Sequence, residues 1–137
     1  MEKLFNSSCI YISSIGGIIA KLIGGYDVLF LTLVIFMGFD YITGVLKAFY
    51  LKKIDSAVGF WGIVKKCIIL IIVSASVVLS KVINSAIPLR ETVILFFISN
   101  EGISLLENSA TFIPLPESLK NALQQIRNKE KSSKQKD

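Results

Sequence analysis

FFISNEGISLLENSATF, residues 96–112, opens like a membrane span and then sets Asn100, Glu101, Ser104, Glu107, Asn108 and Thr111 inside it. At ~100° per residue of a helix these six side chains share an arc of roughly 120°, while Phe96, Phe97, Ile103, Leu106 and Ile113 lie largely elsewhere. A carboxylate costs about 2.5 to 3.5 kcal/mol at mid-membrane and a large apolar residue returns ~0.3 to 0.6. The eleven large apolar residues from Val93 to Ile113 therefore roughly break even against Glu101 and Glu107. Alone in lipid this helix is marginal; it becomes stable when its polar stripe meets other polar helices or water.

The rest of the chain leaves little doubt about its solvent. Of 137 residues 53% are apolar and 18% charged, and the mean hydropathy is strongly positive. Runs such as DVLFLTLVIFMGF (27–39) and CIILIIVSASVVL (67–79) have no polar face on either a helical or an alternating template. Helices that are apolar all round belong in lipid. Val28 to about Tyr50 is a first span, long enough at ~1.5 Å per residue for a bilayer core. A second is expected over about 64–83 and a third over about 91–113, giving a transmembrane unit at residues 26–113.

The net charge of +5 sits beside these runs rather than in a patch for nucleic acid. Lys47, Lys52, Lys53, Lys65 and Lys66 against Asp55 leave +4 around the segment between the first two spans, and residues 114–137 carry +3. Basic segments stay on the cytoplasmic side, so Lys52, Lys53, Lys65 and Lys66 set the topology and the C-terminal tail is cytoplasmic. Trp61 falls where an aromatic belt residue would sit. Residues 1–25 are read separately. Tyr11, Ile12, Ile15, Ile18, Ile19 and Leu22 share one side of a wheel, and Ser13, Ser14, Gly16, Gly17 and Lys21 fall mainly on the other. That is an amphipathic interfacial helix, with a fourth, poor span as the alternative. The prolines at 114 and 116 stop the third span, ESLKNALQQIRN (117–128) is amphipathic, and the lysine-rich end after Asn128 has nothing to bury and is expected to be disordered.

Within the first span Asp40, Thr43, Gly44 and Lys47 recur at i, i+3, i+4 and i+7, one arc of ~100°. An intramembrane carboxylate seldom faces lipid, so Asp40 is expected to face another helix or an aqueous lumen. Lys47 alone cannot neutralise Asp40, Glu101 and Glu107. Association between copies is then more economical than hiding all three inside one monomer, although the stripe could also pack on Asp40, Thr43 and Lys47 within a single chain. Ser76 and Ser80 form a small-xxx-small pair, a weak sign of helix contact. With no histidine, no base beside the serines and no phosphate-binding glycine loop, neither an enzyme nor a cofactor or metal site is expected.

FDYITGVLKAFYLKKIDSAVGFWGIVKK (39–66) resembles the small phage holins of the toxin-secretion and phage-lysis type. The likeness rests on Asp40, Thr43, Gly44 and Ala48 late in the first span, then Lys52, Lys53, Ser56, Gly59 and Gly62, then the Lys65–Lys66 pair. It continues through NEGISLLENS (100–109) and IPLPESLKNAL (113–123), covering roughly residues 27–127. The resemblance implies an all-α integral protein of the bacterial cytoplasmic membrane that self-associates and opens lesions. Through these an endolysin or a toxin leaves the cytosol, with no direct binding of the endolysin required. From the residues alone two other functions stay open: a subunit of a proton- or ion-conducting complex with Asp40 and Glu101 as a relay, and a membrane scaffold without a pore.

Overall fold

The computed structural model describes residues 16–83 and 87–134, and the regular elements among them are all helices. Helix α1 covers the described residues 16–23; α2 is Val28–Tyr50, α3 Ser56–Ile83, α4 Leu89–Ser109 and α5 Glu117–Lys134. The amphipathic segment read for residues 1–25 therefore lies partly outside the described residues; in the described part Ile18 and Leu22 are exposed and Ile23 is buried.

Local chemistry sets each boundary. Asp27 has extended backbone and its side chain accepts the Phe30 N–H at 2.8 Å, an N-cap that starts α2. Asp55 repeats the device for α3, its Oδ1 accepting the Ala57 N–H at 2.8 Å. Between them the chain turns through residues 51–55, where Lys52 takes a positive φ of 53°. This link is shorter than the gap expected between spans at about 28–50 and 64–83. Gly59 and Gly62 sit inside α3 rather than punctuating a loop, so α3 starts at Ser56 and carries Trp61, Lys65 and Lys66 within it. Pro88 precedes α4, and the Pro116 carbonyl accepts the N–H groups of Leu119 and Lys120 at the start of α5. The α5 backbone stays helical to Lys134, beyond Asn128 where composition predicted disorder.

Helices α2 and α3 are long and apolar enough to cross a membrane, yet only 17% and 22% of their apolar windows are buried inside the chain. A core helix of a soluble protein would be mostly covered; these expose Val28, Leu31, Ile71 and Val82 at 57–81%. At 21 residues α4 spans ~31 Å, but Arg90, Glu91, Glu101 and Glu107 keep it below the apolarity of the other two.

The three helices form one bundle in which α4 is the common neighbour. It packs most extensively on α2, less on α3, and α2 and α3 scarcely touch each other. Asp27 meets Arg90 at one end and Tyr50 meets Phe112 at the other, so α2 and α4 run parallel, with α3 antiparallel to both. The apolar core fills the half nearer Asp27: Ile23, Phe30, Leu33, Met37, Ile69, Val73 and Ile94, with Leu33, Val73 and Ile94 fully buried. Complete burial of one such side chain stabilises by about 1.5 to 3 kcal/mol when the alternative is water.

Candidate functional site

Below that core the packing changes character. Asp40 of α2, Lys66 of α3 and Glu101 of α4 converge, and Lys66 Nζ donates to Asp40 Oδ2 at 2.8 Å and to Glu101 Oε2 at 2.5 Å. Their side chains are 16%, 16% and 11% exposed, so one ammonium bridges two carboxylates largely out of solvent. Asn108 extends the network. Its Nδ2 donates to Asp40 Oδ1 at 3.1 Å, and its Oδ1 accepts from Lys47 Nζ at 3.4 Å. Two lysines and two carboxylates make the chain from Lys47 to Glu101 formally neutral, which is the condition for holding charge in a low-dielectric place.

Each member arrives there for a local reason. Asp40, Gly44 and Lys47 lie on one face of α2; a Cβ on Gly44 would stand 3.5 Å from the Asn108 amide, in ordinary contact. Thr43 points its hydroxyl back to the Phe39 and Asp40 carbonyls at 2.9 and 3.0 Å and takes no part in the network. Lys65 and Lys66 are adjacent on a helix, ~100° apart, so one is exposed and the other turns inward.

The six-residue stripe of α4 divides. Glu101, Ser104 and Asn108 face an open cleft of about 780 Å³ between α2 and α3. Asp40, Tyr41, Lys53, Trp61, Lys65 and Lys66 line it as well. Glu107 lies on the other edge of the stripe, beside Lys47 and Lys120 in a smaller hollow of about 320 Å³ under α5. Thr111 is half-buried in the turn after α4, where its N–H reaches the Asn108 carbonyl. Asn100 points outward, exposed. The expectation that Lys47 would be the only internal cation is corrected: Lys66, read as a topology-setting charge at the entrance of the second span, is the cation that Asp40 and Glu101 share. Lys52 and Lys53 stay exposed in the turn.

A second charged site went unnoticed in the sequence. Arg90, 7% exposed at the start of α4, donates Nε to the Ile23 carbonyl at 2.7 Å, Nη2 to the Gly25 carbonyl at 3.1 Å and Nη1 to Asp27 Oδ2 at 2.6 Å. Gly24 lies against it with φ +83°, and a Cβ there would come within 2.8 Å of Arg90 Nε, so both backbone and space call for glycine. The Arg90 hydrogen bond, with the Phe30 N–H second, holds the Asp27 carboxyl below its ordinary range. An arginine opening one helix and an aspartate capping a parallel one was the available signal; sixty-three residues separate them.

Two helices apolar enough to cross a membrane, joined by a third that hides an ionic network, are the architecture of a membrane protein with charge in its interior. The chain belongs to the bacteriophage holin family, whose model matches residues 17–128. It is 39% identical over 94% of its length, and 99% of the relative's, to an uncharacterised 14.9 kDa protein of the nagH 3' region of Clostridium perfringens. It is 37% identical to YqxH of Bacillus subtilis over 82% of this chain and 81% of that one. A probable holin of Bacillus phage phi105 is 34% identical over 52% of this chain and 53% of its own. No solved structure matches the chain.

Proposed function

We propose that this chain is a working holin of the bacterial cytoplasmic membrane: α2, α3 and α4 each cross it, copies associate, and their clusters open lesions that release an endolysin or a toxin. The observation that carries the reading is the internal network. A helix too polar to be comfortable alone in lipid is held between two apolar helices by Lys66, beside an open cleft whose lining includes residues 53–56 of the loop end. The turn at 51–55 and the start of α5 lie at that same end, which favours placing both basic segments in the cytoplasm and Asp27 and Arg90 outside.

The closed monomer keeps Glu101 and Asp40 on Lys66. When copies crowd, these groups exchange a lysine for water and for neighbouring copies, and the polar edge of α4 turns from a buried seam into a wall of a lesion. The endolysin needs no contact with the holin for this; it passes when the opening is large enough.

Induced expression of the full chain in a bacterium tests the proposal. Abrupt depolarisation with release of a cytosolic reporter enzyme is expected, and Glu101→Leu should insert yet release nothing while Glu101→Asp still releases. Selective ion flux with continued growth would favour the conducting-complex reading instead. Release by Glu101→Leu on the unaltered schedule would remove the carboxylate from the mechanism.

A further inference from the structure

We infer that the outward face of α4, centred on Asn100, is a seam that packs on the same face of a second copy, with the two Asn100 amides paired across it. The inference rests on the reading that α4 crosses the membrane. The outward faces of the other two spans carry nothing that lipid would reject: between residues 31 and 46 of α2, and between 67 and 79 of α3, every exposed residue is apolar, a cysteine or a glycine. On α4 the exposed residues from 92 to 100 include Thr92, Ser99 and Asn100. The first two are satisfied internally, Thr92 Oγ1 donating to the Pro88 carbonyl and Ser99 Oγ to the Leu95 carbonyl, each at 2.9 Å. Asn100 makes no side-chain hydrogen bond to any described residue.

Asn100 is the twelfth of 21 residues in α4, so its amide stands near mid-helix and faces hydrocarbon. In hydrocarbon an unpaired amide drives helix association. A second copy is the fitting occupant because an amide carries a donor and an acceptor, and a two-fold axis presents each to its complement with one residue type. Phe96, exposed 59% one turn earlier on the same face, gives that seam its apolar contact. Placing the seam here leaves Glu101, ~100° around the helix, still facing Lys66. Two monomers can thus join without first breaking their networks.

The test uses the full chain in native membranes, with Cys9→Ser and Cys67→Ser removing its own thiols. Oxidation should cross-link Asn100→Cys to a dimer and leave Ile71→Cys, on the lipid face of α3, monomeric. In a lipid-dilution energy-transfer assay, Asn100→Leu should weaken association roughly three- to thirty-fold, the range of single interhelical hydrogen bonds, and Asn100→Gln should largely retain it. Unchanged association of Asn100→Leu overturns the seam. So does an Asn100→Cys thiol that is shielded from a membrane-impermeant maleimide on both sides yet never cross-links, an outcome that leaves α4 as a span. Labelling of the Asn100→Cys thiol from the aqueous phase overturns the span and the seam together.

Discussion

Arg90 and Lys66 are both buried cations bridging helices, and the two ends of the bundle use them differently. At the Asp27 end a guanidinium with a fixed fork of donors is committed to the carbonyls of Ile23 and Gly25 and to the Asp27 carboxylate, with Glu91 at 3.5 Å, above a core in which Leu33, Val73 and Ile94 are fully buried. At the loop end a point-charge ammonium on a flexible stem holds two carboxylates, beside a cleft of about 780 Å³ where α2 and α3 part. The first arrangement is closely fitted at Gly24, where a Cβ would come within 2.8 Å of Arg90 Nε. The second is less confined, since Asp40, Lys66 and Glu101 all border the cleft. The opening proposed above is assigned to the loop end for that reason, away from Arg90.

The largest effect is expected at Lys66. Lys66→Met leaves Asp40 and Glu101 facing each other without their shared cation, and removing one partner from a buried ion pair costs about 3 to 5 kcal/mol. Denaturant titration of the full chain in micelles measures it. Adding Asp40→Asn and Glu101→Gln to the same variant should recover most of the loss, because neutral groups need no counter-charge. A loss under about 1 kcal/mol for Lys66→Met alone would mean that the network does not hold the bundle.

Arg90→Met comes next, at about 1 to 3 kcal/mol, the scale for leaving a buried acceptor without its donor. The carbonyls of Ile23 and Gly25 lose their partner, but water at the bundle end can replace part of it. Gly24→Ala tests the same site from the other side, since its methyl would meet the guanidinium and the residue would be held at φ +83°. Equal stability of both variants with the unaltered chain would make the Arg90 end no more rigid than the other.

What could be read in advance divides along the same line. The apolar run from Val28 to Tyr50 is one helix because Asp27 caps it and nothing inside interrupts hydrogen bonding, all of it local information. The second helix was started late because Gly59 and Gly62 read as loop residues. Glycines are common in membrane helices, and Asp55 before Ser56 was the better start signal. Lys66 was read as a topology-setting charge at the entrance of that span, so the cation shared by Asp40 and Glu101 was missed. For α4 the wheel found the polar arc but not its division, since which edge meets α2 and α3 depends on how three helices pack. The Arg90 cluster joins residues whose separation in the chain hides them from any local pattern.

Acidity tests the two ends with the smallest expected signal. The Asp27 carboxyl titrates below its ordinary 3.8 because Arg90 and then the Phe30 N–H favour its charged form. A carboxylate lowered by folding contributes stability that is fully present above its unfolded pKa and is lost as pH falls through the lower folded one. The contribution of Asp27 should therefore be constant above about pH 4 and fade below it. With its side chain 49% exposed, the loss should stay within about 1 kcal/mol. Subtracting the profile of Asp27→Asn from that of the unaltered chain isolates this group from the other acidic residues. A difference that grows above pH 5 instead would have the wrong sign for a carboxylate held by Arg90, and would take the fixed character of that end away with it.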